Sequence, residues 1–228
     1  MKNQTFGDNR DLLKFDLVDF IAGSGLIEHF TYVPMLTRDE AGREEPQFCR
    51  HNSSGGGQNQ GLVAFLDNCI INEKRQIGQL EEYFKDREFQ FTLYSKNTFF
   101  THEDRGAYFA GLKGELLDSS LILIDPDKGL EEDRNGDGNL LFSELRDIFD
   151  RMSEASLLMF TQRFPYDLHE VYLGMRVAEI KEVIPGCQPI SLDDQDSIIF
   201  LLTKSQSMQN GLLKLLGEYT GKYAKKCA

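Results

Sequence analysis

Strand-like and helix-like patterns alternate along this 228-residue chain, and that alternation limits its fold more than any other feature. Leu13, Leu17, Phe20 and Ile21 recur at the spacing of one helical face. Residues 120–124, which read SLILI, form instead a short and almost wholly apolar run. Such runs are typical of strands in a parallel sheet that is covered on both faces. The chain therefore belongs to the α/β class.

The same patterns outline a complete order of elements. We predict helices at 11–21, 62–84, 103–117, 143–152, 168–184 and 211–225, and strands at 30–36, 89–93, 120–124, 157–161, 188–192 and 198–203. This order predicts a single domain over 1–228, a Rossmann-like three-layer sandwich with a mostly parallel sheet. The acidic turn 193–196 is too short for a crossover helix, so the last two strands should pair antiparallel or lie at an edge.

Charge and hydropathy exclude several classes of function. Lys and Arg number 25 against 37 Asp and Glu, which gives a net charge of −12 and disfavours non-specific coating of nucleic acid. A local basic cleft for a small molecule or a nucleic acid stays open. No apolar run approaches the ~18 residues that span a bilayer, so we expect a cytoplasmic protein without membrane contact. The oligomeric state has no signal in the sequence.

Several common motifs are absent. The four cysteines form no C-x-x-C pair, the four histidines show no H-x-x-x-H spacing, and there is no G-x-S-x-G or P-loop motif. We therefore expect reduced thiols, and the odds fall for zinc sites, serine hydrolases and P-loop enzymes. Residues 37–61 are polar and lack periodicity, which predicts a long loop. Loops of that length are usually functional or disordered.

The strongest candidate site follows the apolar strand at 120–124. Asp125, Asp127 and Glu131 bring three carboxylates to a predicted strand end, with Pro126 to fix the turn and Gly129 to admit a ligand. Ligands of open parallel sheets bind at the carboxyl ends of strands. Carboxylates this close raise each other's pKa or recruit a divalent cation, here Mg²⁺. The alternative is a turn whose aspartates only accept bonds from backbone amides.

A calcium loop is a second candidate site. Residues 133–144 place Asp133, Asn135, Asp137, Asn139 and Glu144 at the spacing of an EF-hand loop. An EF-hand needs an entering helix, however, whereas here a strand and the Asp-Pro-Asp segment precede the loop. The alternative is a turn that leads into the helix at 143–152.

Residues 18–25, which read VDFIAGSG, resemble the strand and loop that hold the methionine moiety in class I methyltransferases. Only four residues, 26–29, separate this segment from the next strand, whereas a parallel crossover needs ~10 residues or more. The helical pattern at 11–21 explains the same residues better.

A second resemblance covers most of the chain. Residues 7–17 (GDNRDLLKFDL), 32–36 (YVPML) and 123–131 (LIDPDKGLE) resemble a family of uncharacterised bacterial and phage-associated proteins. Its members carry a G-D-x-x-D-x-x-K-x-x-L start and a D-P-D-N-G-L-E strand end, with Asn where this chain has Lys128. The resemblance implies that Asp8, Asp11 and Lys14 lie near the Asp-Pro-Asp loop, and that the calcium-like spacing is local drift. It names no reaction.

Three functions fit these features. The first is a methyltransferase-like enzyme acting on a nucleotide or nucleic acid, with Asp8, Asp11 and Gly129 near a cofactor such as S-adenosylmethionine. The second is a Mg²⁺-dependent phosphodiesterase or nuclease in which Asp125, Asp127 and Glu131 hold the metal and Lys14 faces the phosphate. The third is a non-catalytic phage or defence module that uses the 37–61 loop as its contact surface.

Overall fold

The structure, a computed structural model, describes residues 1–39, 59–132, 138–164, 169–193 and 197–224. Its helices and strands follow the predicted order, except that one predicted helix is divided in two and two short strands after residue 128 were not predicted. The helices are α1 (Asn9–Ala22), α2 (Gln60–Ile71), α3 (Leu80–Phe84), α4 (Arg105–Ala110), α5 (Phe142–Arg151), α6 (His169–Val183) and α7 (Gln206–Ala224). The strands are β1 (His29–Val33), β2 (Gln90–Leu93), β3 (Ser120–Ile124), β4 (Gly129–Leu130), β5 (Asn139–Leu140), β6 (Leu157–Arg163), β7 (Ile190–Asp193) and β8 (Ser197–Leu202).

Six of the strands form one sheet in the order β2-β1-β3-β6-β8-β7, while β4 and β5 pair separately. Strands β2, β1, β3 and β6 are parallel, and β8 runs antiparallel to both β6 and β7. This confirms a mostly parallel Rossmann-like sheet with an antiparallel pair near the end of the chain. The antiparallel strand β8 lies inside the sheet, however, and β7 forms the edge. No described helix is long and apolar enough to cross a membrane.

Helices cover both faces of the sheet, because successive strand residues point to opposite sides. Leu121 and Leu123 of β3 pack in one cluster with α1, α2, α3 and α7. Ile122 and Ile124 pack in the other cluster with α4, α5 and α6. All four side chains are fully buried. The apolar run at 120–124 is therefore the centre of a three-layer sandwich, as its sequence predicts.

Three predicted helices differ in extent, because the closing helix expected at 211–225 begins at Gln206 and two others are shorter than expected. The helix expected at 62–84 ends at Ile71, because Glu73 adopts a left-handed backbone with a φ of 55°, and the chain resumes a helix only at Leu80. The helix expected at 103–117 ends at Ala110. A Cβ atom added to the next residue, Gly111, would lie 2.6 Å from the hydroxyl of Tyr94, so glycine permits this close approach.

The chain reverses direction across the sheet at β1. It moves from β1 to its neighbour β2 on one side, and then returns to β3 on the other side. Adjacent parallel strands whose connections leave in opposite directions open a crevice at their carboxyl ends, and ligands of such sheets bind there. The crevice between β1 and β3 is where Asp125 follows β3.

Candidate functional site

Asp125 is buried at the crevice and accepts hydrogen bonds from three side chains. Lys14 Nζ lies 2.6 Å and the Tyr32 hydroxyl 2.7 Å from Oδ2, while the Thr161 hydroxyl lies 3.2 Å from Oδ1. Only 4% of the residue is exposed. Burial disfavours its charge, but Lys14 and the amino group of Met1 outweigh that effect and hold the pKa of Asp125 below its usual range.

Lys14 is shared between two carboxylates. Its Nζ also lies 2.7 Å from Oδ1 of Asp11, one turn earlier on α1. Burial, together with the nearby charges of Asp8 and Asp125, raises the pKa of Asp11 to about 6 although Lys14 opposes the shift. Burial opposes the charge on Lys14 as well, yet the two carboxylates raise its pKa above the ordinary value. One buried cation thus faces two acids, and Asp125 keeps its charge more readily than Asp11.

Local structure fixes these side chains. Asp8 caps α1 by accepting a hydrogen bond from the backbone N–H of Asp11, and Asp11 Oδ2 accepts one from the backbone N–H of Gly7. Gly7 has a φ of +90°, a conformation that glycine adopts most easily. The structure therefore brings Asp8, Asp11 and Lys14 to the Asp-Pro-Asp loop, as the resemblance to the bacterial family implies.

Asp127 lies beside cations at the edge of the crevice. Lys2 Nζ is 3.2 Å and Arg163 is 3.6 Å from its carboxylate oxygens, and the amino group of Met1 is 3.9 Å away. The side chain of Asp127 is 13% exposed, whereas that of Arg163 is 50% exposed. Burial disfavours the charge of Asp127, but these cations outweigh it and lower the pKa of Asp127.

A small cavity lined in part by charged side chains, which we term the Lys14 cavity, lies between α1 and the carboxyl ends of β3 and β6. Its volume is about 50 Å³. A cavity of this size has room for a few water molecules or one small polar group. Both charge signs contribute to its lining: Asp8, Asp11, Asp125, Asp127, Arg10, Lys14 and Arg163.

A wider cleft, the Phe99 cleft, adjoins this cavity at Asp127, which lines both. Its volume is about 480 Å³, within the usual range of small-molecule sites. Lys2, Arg38 and Lys128 contribute cations to its lining, and Glu103 and Asp127 contribute carboxylates. Thr37, Thr101 and Phe99 also line it.

An aromatic side chain projects into the Phe99 cleft. The guanidinium of Arg38 lies 5.7 Å from the centre of the Phe99 ring, and Phe99 is 44% exposed. Its neighbour Phe100 is buried and donates its backbone N–H to the carbonyl of Leu36 at 2.7 Å. Phe100 thus anchors the segment after β2 to the end of β1, and Phe99 is held open to solvent.

Glu131 and Gly129 have local structural contacts. Glu131 Oε1 accepts a hydrogen bond from the backbone N–H of Phe142 at 2.8 Å, at the start of α5, and Glu131 is not among the residues that line the Lys14 cavity. Gly129 has a φ of +84°, and a Cβ atom there would lie 2.3 Å from Oε1 of Gln162. Gln162 uses that oxygen to accept the N–H of Leu130 at 2.7 Å. The absence of a side chain at Gly129 therefore makes room for the side chain of Gln162.

The predicted calcium loop is only partly described, because Asp133, Asn135 and Asp137 lie outside the described residues. Glu144, the predicted bidentate ligand, binds Arg105 Nε at 2.6 Å with one oxygen and a second guanidinium nitrogen at 2.9 Å with the other. Asn139 donates its side-chain N–H to the carbonyl of Leu130 at 3.2 Å. The described part of this loop is thus held by protein contacts.

No three His, Cys, Asp or Glu side chains in the described parts of the chain come together in an arrangement that could hold a metal ion. Glu131, the third acid of the predicted metal set, accepts a hydrogen bond from the backbone N–H of Phe142 at the start of α5. Residues 40–58 lie outside the described residues, so the predicted contact surface within 37–61 stays a prediction.

The partners that complete this site are not predicted by the sequence motifs. Tyr32, Thr161, Lys2, Arg38 and Phe99 come from elements far from the Asp-Pro-Asp loop in sequence. Arg38 and Phe99 each follow a predicted strand. They could have been predicted as site residues on that ground, because ligands bind at the carboxyl ends of the strands in such sheets. Comparison of the chain with protein-family models, with curated proteins and with solved structures found no match.

Proposed function

We propose that this protein is an enzyme that acts on a nucleotide, which it binds in the Phe99 cleft at the carboxyl edge of the sheet. The observation that carries the proposal is an exposed aromatic ring beside Arg38, Lys2 and Lys128 in a chain with a net charge of −12. The lining of this cleft holds three cations and two carboxylates, Glu103 and Asp127, where the chain reverses across the sheet, which is the usual ligand position of this fold.

The chemistry of the cleft matches the two parts of a nucleotide. A planar base stacks on an aromatic ring or on a guanidinium plane, and such stacking contributes about 1 to 3 kcal/mol per base. Lys2 and Lys128 offer ammonium groups for phosphate oxygens. The cleft is open and lacks a groove of repeated aromatic side chains among the described residues, so a mononucleotide fits better than an extended strand.

The adjoining Lys14 cavity supports an enzyme over a binding module. Asp11 lines this cavity, and its pKa of about 6 lies near the range in which a carboxyl group both takes and gives protons at neutral pH. Pairs of buried acids with separated pKa values are typical of catalytic sites. Asp11 and Asp125 are such a pair around Lys14.

A methyltransferase is the second candidate, and a specific observation favours it. The Asp-Pro-Asp segment follows β3, and the antiparallel pair β8 and β7 ends the sheet, as in the class I methyltransferases that the chain resembles. The donor of such enzymes, S-adenosylmethionine, carries an adenosine that fits the same cleft. The residues after β1, Pro34 to Thr37, include no glycine loop, which weighs against this candidate.

The other two functions have weaker support. A Mg²⁺ ion bound by Asp125 and Asp127 would compete with Lys14, Lys2 and Arg163, which already lie beside those carboxylates. A phage or defence contact module would use the 37–61 loop, of which residues 40–58 lie outside the described residues.

Ligand-induced stabilisation tests the proposal. Adenosine, AMP, S-adenosylmethionine and MgCl₂ are added separately, and the melting temperature is measured. A ligand at 100 times its dissociation constant adds about 2.7 kcal/mol, which corresponds to a rise of about 5 °C or more for a chain of this size. We expect AMP to raise the melting temperature and Phe99→Ala to abolish the rise.

The matched control is Leu213→Ala on α7, since Leu213 is 50% exposed, like Phe99, and does not line the cleft. It should leave the AMP response intact. A rise with S-adenosylmethionine but not with AMP would favour the methyltransferase, and a rise with MgCl₂ alone would favour the metal enzyme. If AMP has no effect on the unmodified protein, the proposal is wrong.

A further inference from the structure

The carboxylate of Asp127 lies beside three cations: the amino group of Met1, which is 3.9 Å away, and two side chains from separate parts of the chain. Lys2 comes from the first residues and Arg163 from the end of β6, and both lie within 3.6 Å of its oxygens. The residue also lines both the Lys14 cavity and the Phe99 cleft. An anionic group of a ligand can therefore reach this position from the Lys14 cavity or from the Phe99 cleft.

The contacts of Asp127 are longer than those of its neighbour Asp125. Charge-assisted hydrogen bonds between an ammonium or guanidinium and a carboxylate measure about 2.7 to 2.9 Å. Lys14 lies 2.6 Å from Asp125, whereas Lys2 and Arg163 lie 3.2 Å and 3.6 Å from Asp127. Arg163 is also half exposed, so a ligand in solvent can reach its guanidinium.

We infer that Lys2 and Arg163 form a binding site for a phosphate monoester, and that Asp127 is an internal counter-ion that an incoming phosphate displaces. Two cations at one point repel each other unless an anion lies between them. Asp127 supplies that charge in the unliganded protein. A phosphate group carries more charge and three acceptor oxygens, so it serves both cations better than one carboxylate does.

The inference rests on the proposed function only in assigning the phosphate to a nucleotide whose base lies in the Phe99 cleft. It also assigns Asp127 a role opposite to that of a metal ligand. A metal ligand is needed for binding, whereas a counter-ion competes with the ligand and its removal strengthens binding.

Phosphate affinity of an Asp127→Asn variant tests this role. Asparagine keeps the size of the side chain and an oxygen that accepts a hydrogen bond from Lys2, but it lacks the charge. Inorganic phosphate is titrated into the full chain by calorimetry at constant ionic strength. We expect Asp127→Asn to bind phosphate about tenfold more tightly than the unmodified protein, and Arg163→Ala to bind it at least tenfold more weakly.

The matched control is Asp19→Asn. The carboxylate of Asp19 is 15% exposed and accepts hydrogen bonds from Arg87, Tyr83 and Asn59, but it lies three turns along α1 from Asp8. This variant should leave phosphate affinity unchanged. A second variant, Asp127→Glu, restores the charge and should return the affinity toward that of the unmodified protein.

Two results would overturn the inference: an unchanged or weaker phosphate affinity in Asp127→Asn, or an equal gain in Asp19→Asn. Adenosine separates this outcome from failure of the proposed function, because it has the base but no phosphate. Phe99-dependent binding of adenosine with no effect of Asp127→Asn on AMP would refute the counter-ion and retain the nucleotide site. A phosphate gain in Asp127→Asn without any adenosine binding would retain the phosphate site and refute the nucleotide.

Discussion

Asp125 and Asp127 lie two residues apart in one loop, yet the fold gives them different environments. Asp125 is enclosed by Lys14, Tyr32 and Thr161, with its shortest contact at 2.6 Å. Asp127 lies at the rim, beside Lys2 and the half-exposed Arg163. Both have lowered pKa values because of nearby cations. Charge alone therefore does not separate the two roles, whereas burial and contact length do.

The largest expected effect comes from removing the cation on the buried side. Lys14→Met leaves Asp11 and Asp125 buried without their shared partner, and loss of one partner of a buried ion pair costs about 3 to 5 kcal/mol. We expect a drop of that size in the free energy of unfolding, measured by urea denaturation at pH 7.

The matched control for Lys14→Met is Lys96→Met. Lys96 pairs with Glu81 at 2.7 Å on the surface, where both side chains are more than 40% exposed. Surface pairs contribute about 0 to 1 kcal/mol, so this variant should change little. Similar losses of unfolding free energy in Lys14→Met and Lys96→Met would show that the buried ion pairs of Lys14 stabilise the fold no more than a surface pair does.

The next effect concerns the pH dependence of Asp11. Its pKa in the folded protein is raised from 3.8 to about 6, chiefly by burial. A carboxyl group with a raised pKa favours the folded state at low pH, and that contribution is lost as the pH rises from about 4 to about 6. Over two pH units the loss approaches ~3 kcal/mol. Asp11→Asn cannot titrate, so it should lack this contribution.

Urea denaturation of the unmodified protein and of Asp11→Asn between pH 4 and pH 7 measures the effect. The difference in unfolding free energy, unmodified minus variant, should fall with rising pH and level off above pH 6. A difference in unfolding free energy that stays constant between pH 4 and pH 7 would contradict a raised pKa. It would show that Lys14 keeps Asp11 charged in the folded protein, as it does Asp125.

The sequence predicts part of the surroundings of these two aspartates, but not all of them. The apolar run at 120–124 and the rule for strand ends locate the Asp-Pro-Asp loop. That Lys14 lies near this loop is implied only by the resemblance of the G-D-x-x-D-x-x-K start. Tyr32 is 93 residues from Asp125 in sequence, and its hydroxyl reaches Asp125 only because β1 and β3 are neighbours in the sheet. Strand order of this kind depends on long-range packing, which local patterns do not encode.

Local spacing does not reveal the partner that a distant residue supplies. Glu144 has the spacing of a calcium ligand, but Arg105, which is 39 residues earlier, binds both of its oxygens. Glu131 has the spacing of a third metal ligand beside Asp125 and Asp127, but its carboxylate caps α5. A carboxylate motif therefore predicts where acids lie along the chain, and the partners that the fold supplies decide what those acids do.

The smallest expected effect separates the two aspartates most sharply. Asp127→Asn should lower the free energy of unfolding by about 1 kcal/mol or less, because its cations lie at a partly solvated rim where ion pairs contribute little. In saturating phosphate the sign should reverse, since the variant binds the ligand more tightly and gains more stability from it. Melting curves of both proteins with and without phosphate measure this crossover. A loss as large as that of Lys14→Met, with no crossover, would place Asp127 in the same rigid network as Asp125.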